Sequence, residues 1–251
     1  MDIVVTGGTG RLGRRLTEQL TGAGHHVRQT SRRGAGPGGV RLDLTDERSA
    51  GRDLPAALEG ADTIVHAASA PRGNPWEADV AGTRRLVQAV DRATLRHLVY
   101  VSIVGVDRVP YGYYRAKYAT EQVLLASGLP VTIVRITQFH EFVDELLGAA
   151  RRGRFLPVPT GWRLQPVDTG EAAAHLAAVA GAAPTGELVE FAGPQELGSV
   201  DLARAWAARR GDGVRVVPAP VPGKLSAALR DGGLLPRRGA RGRVTYAEHL
   251  G

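Results

Sequence analysis

A tyrosine and a lysine four positions apart are the residues best suited to acid–base chemistry. Tyr113 and Lys117 form the pattern Y-x-x-x-K in a stretch predicted to be helical from about Tyr113 to Ser127. Positions i and i+4 share one face of a helix, so the phenol and the ammonium project together. Because an ammonium stabilises a nearby phenolate, it brings the pKa of the phenol toward neutrality. The spacing therefore predicts an acid–base catalyst at Tyr113.

Two further observations support a catalytic group at this place. The chain has 30 arginines but two lysines, Lys117 and Lys224, so a compact ammonium is favoured at position 117. Ser102 lies near the end of a predicted strand, His97–Ile103, and ligands bind at the carboxyl ends of strands in open α/β sheets. We expect the Ser102 hydroxyl to bond a substrate carbonyl.

A glycine-rich loop predicts a dinucleotide site. Residues 7–13, GGTGRLG, follow the apolar strand Asp2–Thr6 and open a helix from Arg11 to about Gly22. In this context the glycines allow a tight turn, close approach of amides to a pyrophosphate, and packing of the helix on the strand. The helix N-terminus adds partial positive charge.

The residues after the second strand favour NADP(H) over NAD. An NAD site typically has a carboxylate about 20 residues beyond the glycines. Here no Asp or Glu occurs between Glu18 and Asp43. Ser31 and Arg32 stand there instead and suit a 2′-phosphate, with Arg33 adding charge. We expect the cofactor to be held by Thr6, Gly7, Gly10, Arg11, Leu12, Gly13, Ser31, Arg32, Asp43, Leu44, Ala67, Ala68, Ser69 and Lys117.

The order of predicted elements indicates an α/β fold. Six short apolar strands alternate with helical segments in the first 135 residues, including a helix from about Glu77 to Ala93. This order predicts a Rossmann-type, doubly wound parallel sheet with a small C-terminal substrate lobe. We expect a nucleotide-binding core over residues 1–155, to which 168–192 return, and a lobe from 156–167 and 193–251.

Composition excludes several classes of protein. Hydrophobic residues make up 43% of the 251 and charged residues 23%, enough apolar material for a core. No apolar run is long enough for a membrane helix, no signal peptide is predicted, and cysteine is absent, so a cytoplasmic protein is expected. The net charge of +7 is scattered along the chain without aromatic interleaving, which argues against nucleic acid as a partner. No metal-ligand spacing occurs.

The motifs together resemble the short-chain dehydrogenase/reductase superfamily, in the extended-to-atypical branch that includes NmrA-like proteins. The resemblance is carried by TGGTGRLG, HAAS, DVAGTRRLVQAV, VYVSIVG, YYRAK, TIVRITQFHEF and QPVDTGEAA, which cover most of residues 1–173. It implies a Ser102, Tyr113 and Lys117 triad, with Tyr113 as proton donor, Ser102 orienting the carbonyl and Lys117 holding the nicotinamide ribose. Asp79 stands where relatives with N-x-x-G-T have Asn.

The leading interpretation is an NADP(H)-dependent oxidoreductase that reduces a carbonyl or conjugated carbon of a small, largely apolar substrate. Gln138, Phe139 and Trp162 are the candidates for the substrate pocket. Two alternatives stay open: an NADP-binding sensor or regulator without turnover, and a non-redox epimerase or dehydratase on the same fold. A monomer or homodimer is expected.

Overall fold

The computed structural model describes residues 1–32, 34 and 39–251. Its strands are β1 (Asp2–Thr6), β2 (His26–Ser31), β3 (Val40–Arg41), β4 (Thr63–His66), β5 (His97–Ile103), β6 (Val131–Ile136), β7 (Phe155–Pro159), β8 (Arg163–Leu164), β9 (Leu188–Ala192), β10 (Leu197–Gly198), β11 (Arg215–Ala219) and β12 (Ala240–Arg241). Its helices are α1 (Arg11–Gly22), α2 (Glu47–Leu58), α3 (Gly82–Ala89), α4 (Gly112–Leu125), α5 (His140–Ala150), α6 (Thr169–Gly181), α7 (Ser199–Arg210), α8 (Lys224–Arg230) and α9 (Tyr246–Leu250), with a π-helical segment, Trp76–Ala81, before α3.

The chain divides into two units, of which the first comprises Met1–Ser102, Gly112–Arg135 and Ala173–Val189. Among its described residues the strands follow the order β9-β6-β5-β4-β1-β2-β3. The pairs β1–β2, β1–β4, β2–β3 and β4–β5 are parallel. Thr6 lies opposite both Thr30 and His66, so β1, β2 and β4 end within one residue of one another, while β5, whose Tyr100 lies opposite His66, runs on to Ile103. The predicted Rossmann-type fold class is confirmed.

Apolar side chains explain why the helices of the first unit pack on this sheet. Helix α1 buries Leu12, Leu16 and Leu20, which recur every four residues on one face. On the sheet, residues such as Val4 and Ile64 belong to one core cluster with side chains of α2, α3 and α4. Burial of this apolar surface fixes the strand ends, and hence the loops that follow them.

The structure corrects the prediction between residues 43 and 93. Helix α2 was not predicted, and its Pro55 and Gly51 are weak helix formers. It forms because Asp46 caps its first turn, accepting from the amides of Arg48 and Ser49, and because one apolar face is buried. The helix predicted from Glu77 to Ala93 instead begins as the π-helical segment and ends at Ala89.

The second unit comprises Ile103–Tyr111, Ile136–Ala172 and Glu190–Gly251. Here β7 pairs in parallel with β11, β8 pairs antiparallel with β10, and β12 pairs with the end of β9. Leu156, Val158, Ala203 and Trp206 form an apolar cluster in it. Helices α5 and α8 were not predicted. The proposed substrate-binding role of a C-terminal lobe stays a prediction.

Across the described ranges, every helix is too short or too polar to cross a membrane.

Candidate active site

The loop after β1 needs glycine at two positions for steric reasons. Gly7 has φ +70°, and a Cβ there would lie 2.8 Å from Ala68 Cα. A Cβ on Gly13 would lie 2.8 Å from Gly8 Cα and closer still to the Gly7 carbonyl oxygen. Because these neighbours are backbone atoms, side chains cannot be accommodated without moving the loop. The glycines thus allow the loop to pass close to α1 and to the segment after β4.

The first turn of α1 is open to an anionic group. Its N-cap is Gly10, which has no side chain to cap the helix, and its first turn contains no acidic residue. The first helical hydrogen bond runs from Arg14 N–H to the Gly10 carbonyl, so the amides before it point out of the helix. Such a terminus suits a pyrophosphate, and the residues present therefore fit the dinucleotide expected from the sequence.

A cleft of about 230 Å³ lies in the first unit beside this loop. Most residues predicted to hold the cofactor line the cleft: Gly7, Gly10, Ser31, Arg32, Asp43, Leu44, Ala67, Ala68 and Ser69. Its described lining does not include the other predicted residues, Thr6, Arg11, Leu12, Gly13 and Lys117. The cleft therefore follows the ends of three neighbouring strands, as expected for a ligand site of this fold.

Positive charge borders one end of the cleft. Arg32 is exposed there, and the neighbouring Ser31 hydroxyl donates to the Gly34 carbonyl oxygen at 2.6 Å. Asp43 accepts from the amide and hydroxyl of Thr45 at 2.9 and 2.7 Å. Burial alone would raise the pKa of Asp43, but these hydrogen bonds and the charges of Arg32 and Arg41 hold it below its usual value. Arg33, also predicted to add charge, lies outside the described residues.

Tyr113 begins a chain of hydrogen bonds that leads into the protein. Its phenol oxygen lies 2.7 Å from Ser69 Oγ, and Ser69 Oγ donates to Asp79 Oδ1 at 2.6 Å. Asp79 is buried, with 1% of its surface exposed, and its other oxygen accepts from the Ala70 amide at 3.3 Å. Ser69 lines the cleft and Tyr113 is half-buried, so a ligand can reach both hydroxyls.

Lys117 closes the same chain from the interior. Its Nζ lies 3.5 Å from Asp79 Oδ1 and donates to the Val101 carbonyl oxygen at 2.7 Å. The ammonium also lies 4.2 Å from the centre of the Tyr100 ring, a cation–π contact. Burial lowers the pKa of Lys117, although the charges of Asp79 and Glu121 oppose the shift. Lys117 is therefore linked to Tyr113 through Asp79 and Ser69.

Ser102 lies in a different hydrogen-bond group. Its hydroxyl donates to Glu121 Oε1 at 2.5 Å, and Glu121 forms a two-pronged ion pair with Arg135 at 2.8 and 2.6 Å. All three side chains are buried. The structure thus brings Ser69, and not Ser102, to the Tyr113 hydroxyl. The orienting role predicted for Ser102 stays a prediction.

His66 supports the segment that carries Ser69. Its ring nitrogens lie 2.6 Å from Thr6 Oγ1 and 2.8 Å from Thr83 Oγ1. Thr6 Oγ1 also accepts from the Ala68 amide at 3.2 Å. Burial, with a smaller contribution from the Lys117 charge, lowers the pKa of His66 to about 3, so the ring is neutral. His66 begins the HAAS motif noted in the sequence, but its two threonine partners are distant along the chain.

The three predicted substrate residues lie in the second unit. Gln138 is buried, and neither its amide oxygen nor its amide nitrogen has a hydrogen-bond partner. Phe139 precedes α5 as its N-cap residue. Trp162 is half-buried, and its indole nitrogen donates to Ser226 Oγ at 2.7 Å. Their role in a substrate pocket stays a prediction.

Comparison with known proteins identifies the family. The sequence profile of a family described as NAD(P)H-binding matches residues 7–150, more than half of the chain. A 2-alkyl-3-oxoalkanoate reductase from Stenotrophomonas maltophilia is 28% identical over 73% of this chain and 67% of its own length. A photosystem II assembly factor from Cyanophora paradoxa is 28% identical over 56% of this chain and 46% of its own length, so the chain spans less than half of that relative.

A solved structure shows the same fold. The NADPH complex of an NADPH-dependent quinone oxidoreductase from Escherichia coli aligns with a TM-score of 0.79, covering 99% of this chain and 98% of that one at 20% identity. The similarity extends over the whole fold, although the sequences have diverged widely. With the profile match, the glycine loop and the cleft that it borders, the chain belongs to the NAD(P)H-binding family.

Proposed function

We propose that this protein is an NADP(H)-dependent oxidoreductase of the short-chain dehydrogenase type, in which Tyr113 donates the proton. The observation that carries the proposal is the hydrogen bond between Tyr113 and Ser69, made where Ser69 lines the glycine-bordered cleft. An accessible phenol beside a cofactor cleft is what proton transfer to a substrate oxygen requires. The proposed substrate is a small, largely apolar molecule with a carbonyl or conjugated carbon.

The chain's own residues have distinct tasks in this proposal. The amides at the start of α1 hold the pyrophosphate, and the Arg32 end of the cleft holds the 2′-phosphate. Bound NADPH supplies the hydride. Tyr113 transfers its proton to the substrate oxygen, and Ser69, which already contacts the phenol, orients that oxygen and bonds the resulting phenolate. Lys117 and Asp79 form a buried ion pair that fixes Ser69 in place.

The preference for NADP(H) is proposed from charge. Arg32 is exposed beside the cleft, and the Asp43 carboxylate after β3 is already occupied by Thr45. Isothermal titration is expected to give tighter binding of NADPH than of NADH. Arg32→Ala should remove most of the difference, because a charge-assisted hydrogen bond to phosphate contributes about 1.5–3 kcal/mol. Arg48→Ala, an exposed arginine on α2 outside the cleft lining, is the matched control. Equal affinities of the unmodified protein for both cofactors would refute this preference.

Turnover is tested by a substrate screen with NADPH. The reductase relative is named for 2-alkyl-3-oxoalkanoates and the structural neighbour for quinones, so the screen includes 3-oxo acids, their esters and quinones. Oxidation of NADPH, followed at 340 nm, is the expected result with at least one class. If none of these classes consumes NADPH, the oxidoreductase proposal is wrong.

One observation favours a second candidate, an NADP-binding protein without turnover. The Ser102 hydroxyl donates to Glu121 in the interior, so the serine that the family resemblance assigns to the carbonyl is already engaged. A relative that is 28% identical over 56% of this chain is named an assembly factor. In this case NADPH binds and no carbonyl compound is reduced.

A further inference from the structure

Arginine is concentrated in one short segment of the second unit. Residues 237–243, called the arginine segment below, read RRGARGR and contain no acidic residue. The segment includes strand β12, which pairs in parallel with the end of β9. All four of its charged side chains are exposed: Arg237, Arg238, Arg241 and Arg243. Four positive charges therefore lie on a short stretch of backbone that is tied to a strand.

Two carboxylates fix the backbone of the arginine segment at its two ends. Glu190 Oε2 accepts from the amides of Arg237 and Arg238 at 2.7 and 3.1 Å. Glu171 accepts from the Arg243 amide at 2.8 Å and from the next amide of the chain at 3.1 Å. Because both carboxylates bind backbone amides, they hold the segment in place without pairing with its guanidinium groups.

The middle of the arginine segment is constrained as well. Gly239 has φ +119°, and a Cβ there would meet the Glu190 carbonyl oxygen, so the chain passes close to β9. Arg241 Nη1 donates to the carbonyl oxygens of Gly239 and Ala240 at 3.0 and 3.3 Å. A guanidinium has five N–H donors, so most of them remain available to a ligand. A backbone fixed in this way reduces the entropy that is lost when a ligand binds.

The arginine segment differs from other arginine-containing parts of the chain in its lack of carboxylate partners. Arg85 pairs with Glu77 at 2.7 Å, and Arg151 pairs with Asp212 at 2.6 Å. The four guanidinium groups of the arginine segment form no ion pair with any residue that the structure describes. Their charge is therefore available to an anion that this part of the chain does not supply.

We propose that the arginine segment binds an extended, acidic segment of a partner protein. A guanidinium presents paired N–H donors that match the two oxygens of a carboxylate. Residues two apart in an extended chain lie about 6.6 Å apart and on the same side, and Arg241 and Arg243 have this spacing in sequence. Alternate Asp or Glu residues of an extended peptide repeat at the same distance, so successive carboxylates meet successive arginines. The charge also speeds the encounter of the two partners.

The surroundings of the arginine segment favour an acidic polypeptide over nucleic acid or a membrane. Proteins that bind single-stranded nucleic acid stack bases on aromatic side chains, and no aromatic residue occurs between Trp206 and Tyr246. Segments that lie on membranes bury large apolar side chains among the lipids. Leu235 and Val244, on either side of the arginine segment, are instead half-buried in the protein. The segment thus offers charge and hydrogen-bond donors without an apolar or stacking surface.

Fluorescence anisotropy of a labelled ten-residue glutamate peptide, titrated with the full chain at about 150 mM salt, tests the proposal. The test variant combines Arg237→Gln, Arg238→Gln, Arg241→Gln and Arg243→Gln. Its affinity for the peptide should be at least about tenfold lower, because one exposed ion pair contributes about twofold. The control removes the same charge from exposed positions of the first unit and should change the affinity by less than about twofold: Arg48→Gln, Arg52→Gln, Arg84→Gln and Arg96→Gln.

A second variant separates a fixed arrangement of arginines from net charge alone. Glu171→Gln removes a negative charge, so an attraction that depended only on net charge would become stronger. The fixed arrangement should instead bind the peptide at least about threefold more weakly, because the backbone around Arg243 loses a carboxylate acceptor. Glu18→Gln, at an exposed position of α1, removes the same charge and should leave the affinity within about twofold.

Three results would overturn the proposal. The first is equal affinity of the unmodified protein and the test variant for the peptide. The second is tighter binding by Glu171→Gln. The third is tighter, arginine-dependent binding of a ten-residue oligouridylate, or of phosphatidylcholine vesicles with about 30% phosphatidylserine, than of the peptide. Thermal melting confirms that each variant is folded, and the test variant decides the proposal if Glu171→Gln does not fold.

Discussion

Acidification is expected to destabilise the fold through the buried His66 ring. The imidazole has 0% exposure, is held between Thr6 and Thr83, and has its pKa lowered from 6.5 to about 3 by burial and the Lys117 charge. Between pH 6.5 and about 3 the His66 imidazole is therefore protonated in the unfolded chain but neutral in the folded chain. The stability that depends on a neutral His66 is complete above pH 6.5 and decreases as the pH falls through that range.

The size of the effect follows from the two pKa values. At pH 7.5 both states have a neutral ring, and the contribution of titration is close to zero. At pH 5 the unfolded imidazole is mostly protonated while the folded one is not, and the difference of 1.5 pH units corresponds to about 2 kcal/mol. Other histidines whose pKa values are lowered by desolvation, His97, His140 and His175, add to the acid sensitivity of the whole protein.

Urea unfolding of the unmodified protein and of His66→Gln at the two pH values isolates this contribution. Both proteins contain the other histidines, so the contributions of those histidines to the free energy of unfolding cancel when the two proteins are compared. The glutamine variant should be less stable at pH 7.5, because hydrogen bonds to the threonines are lost, and the gap should narrow by about 2 kcal/mol at pH 5. The control is His26→Gln, at an exposed imidazole. Its gap in unfolding free energy from the unmodified protein should change by less than about 0.5 kcal/mol between the two pH values. A gap for His66→Gln that is equal at both pH values would show that titration of His66 does not contribute to stability.

Three more predictions concern the frame of the site. Gly13→Ala should weaken NADPH binding at least about tenfold by titration calorimetry, because its Cβ meets the glycine loop, whereas Gly22→Ala on the same helix meets nothing and should bind normally. Asp46→Ala should lower the free energy of unfolding by about 1 kcal/mol through loss of the α2 cap, and an unchanged urea midpoint would contradict this. Glu121→Gln should lower the free energy of unfolding in urea by about 3–5 kcal/mol, because it leaves Arg135 buried without its charge partner. A decrease of less than about 1 kcal/mol would contradict this.

The parts of the site that lie in a loop directly after a strand were predictable from the sequence. Residues 7–13 and 67–69 each come directly after a buried strand, and parallel strands bring such segments to one edge. The Y-x-x-x-K spacing likewise identified two residues on one turn of α4, Tyr113 and Lys117. In each case the signal lies within a few consecutive residues.

The partners of these residues could not be predicted in the same way. Side chains alternate between the two faces of a strand, and nothing near Ser102 indicates that its face is the one against Glu121. Asp79 was noticed only as a departure from relatives, because its contacts with Ser69 and Lys117 join residues 10 and 38 positions away. The π-helical geometry of Trp76–Ala81, which carries Asp79, has no clear sequence signal.

The proton donor is tested most directly by single-turnover reduction of an active substrate by enzyme saturated with NADPH. Tyr113→Phe is expected to slow the loss of absorbance at 340 nm by about 10²–10⁴-fold, the range for a positioned acid, while its affinity for NADPH stays within about twofold. Tyr114→Phe, at the adjacent ring 6.1 Å away, should react at the unmodified rate. A Tyr113→Phe enzyme that reduces its substrate as fast as the unmodified protein would contradict the account.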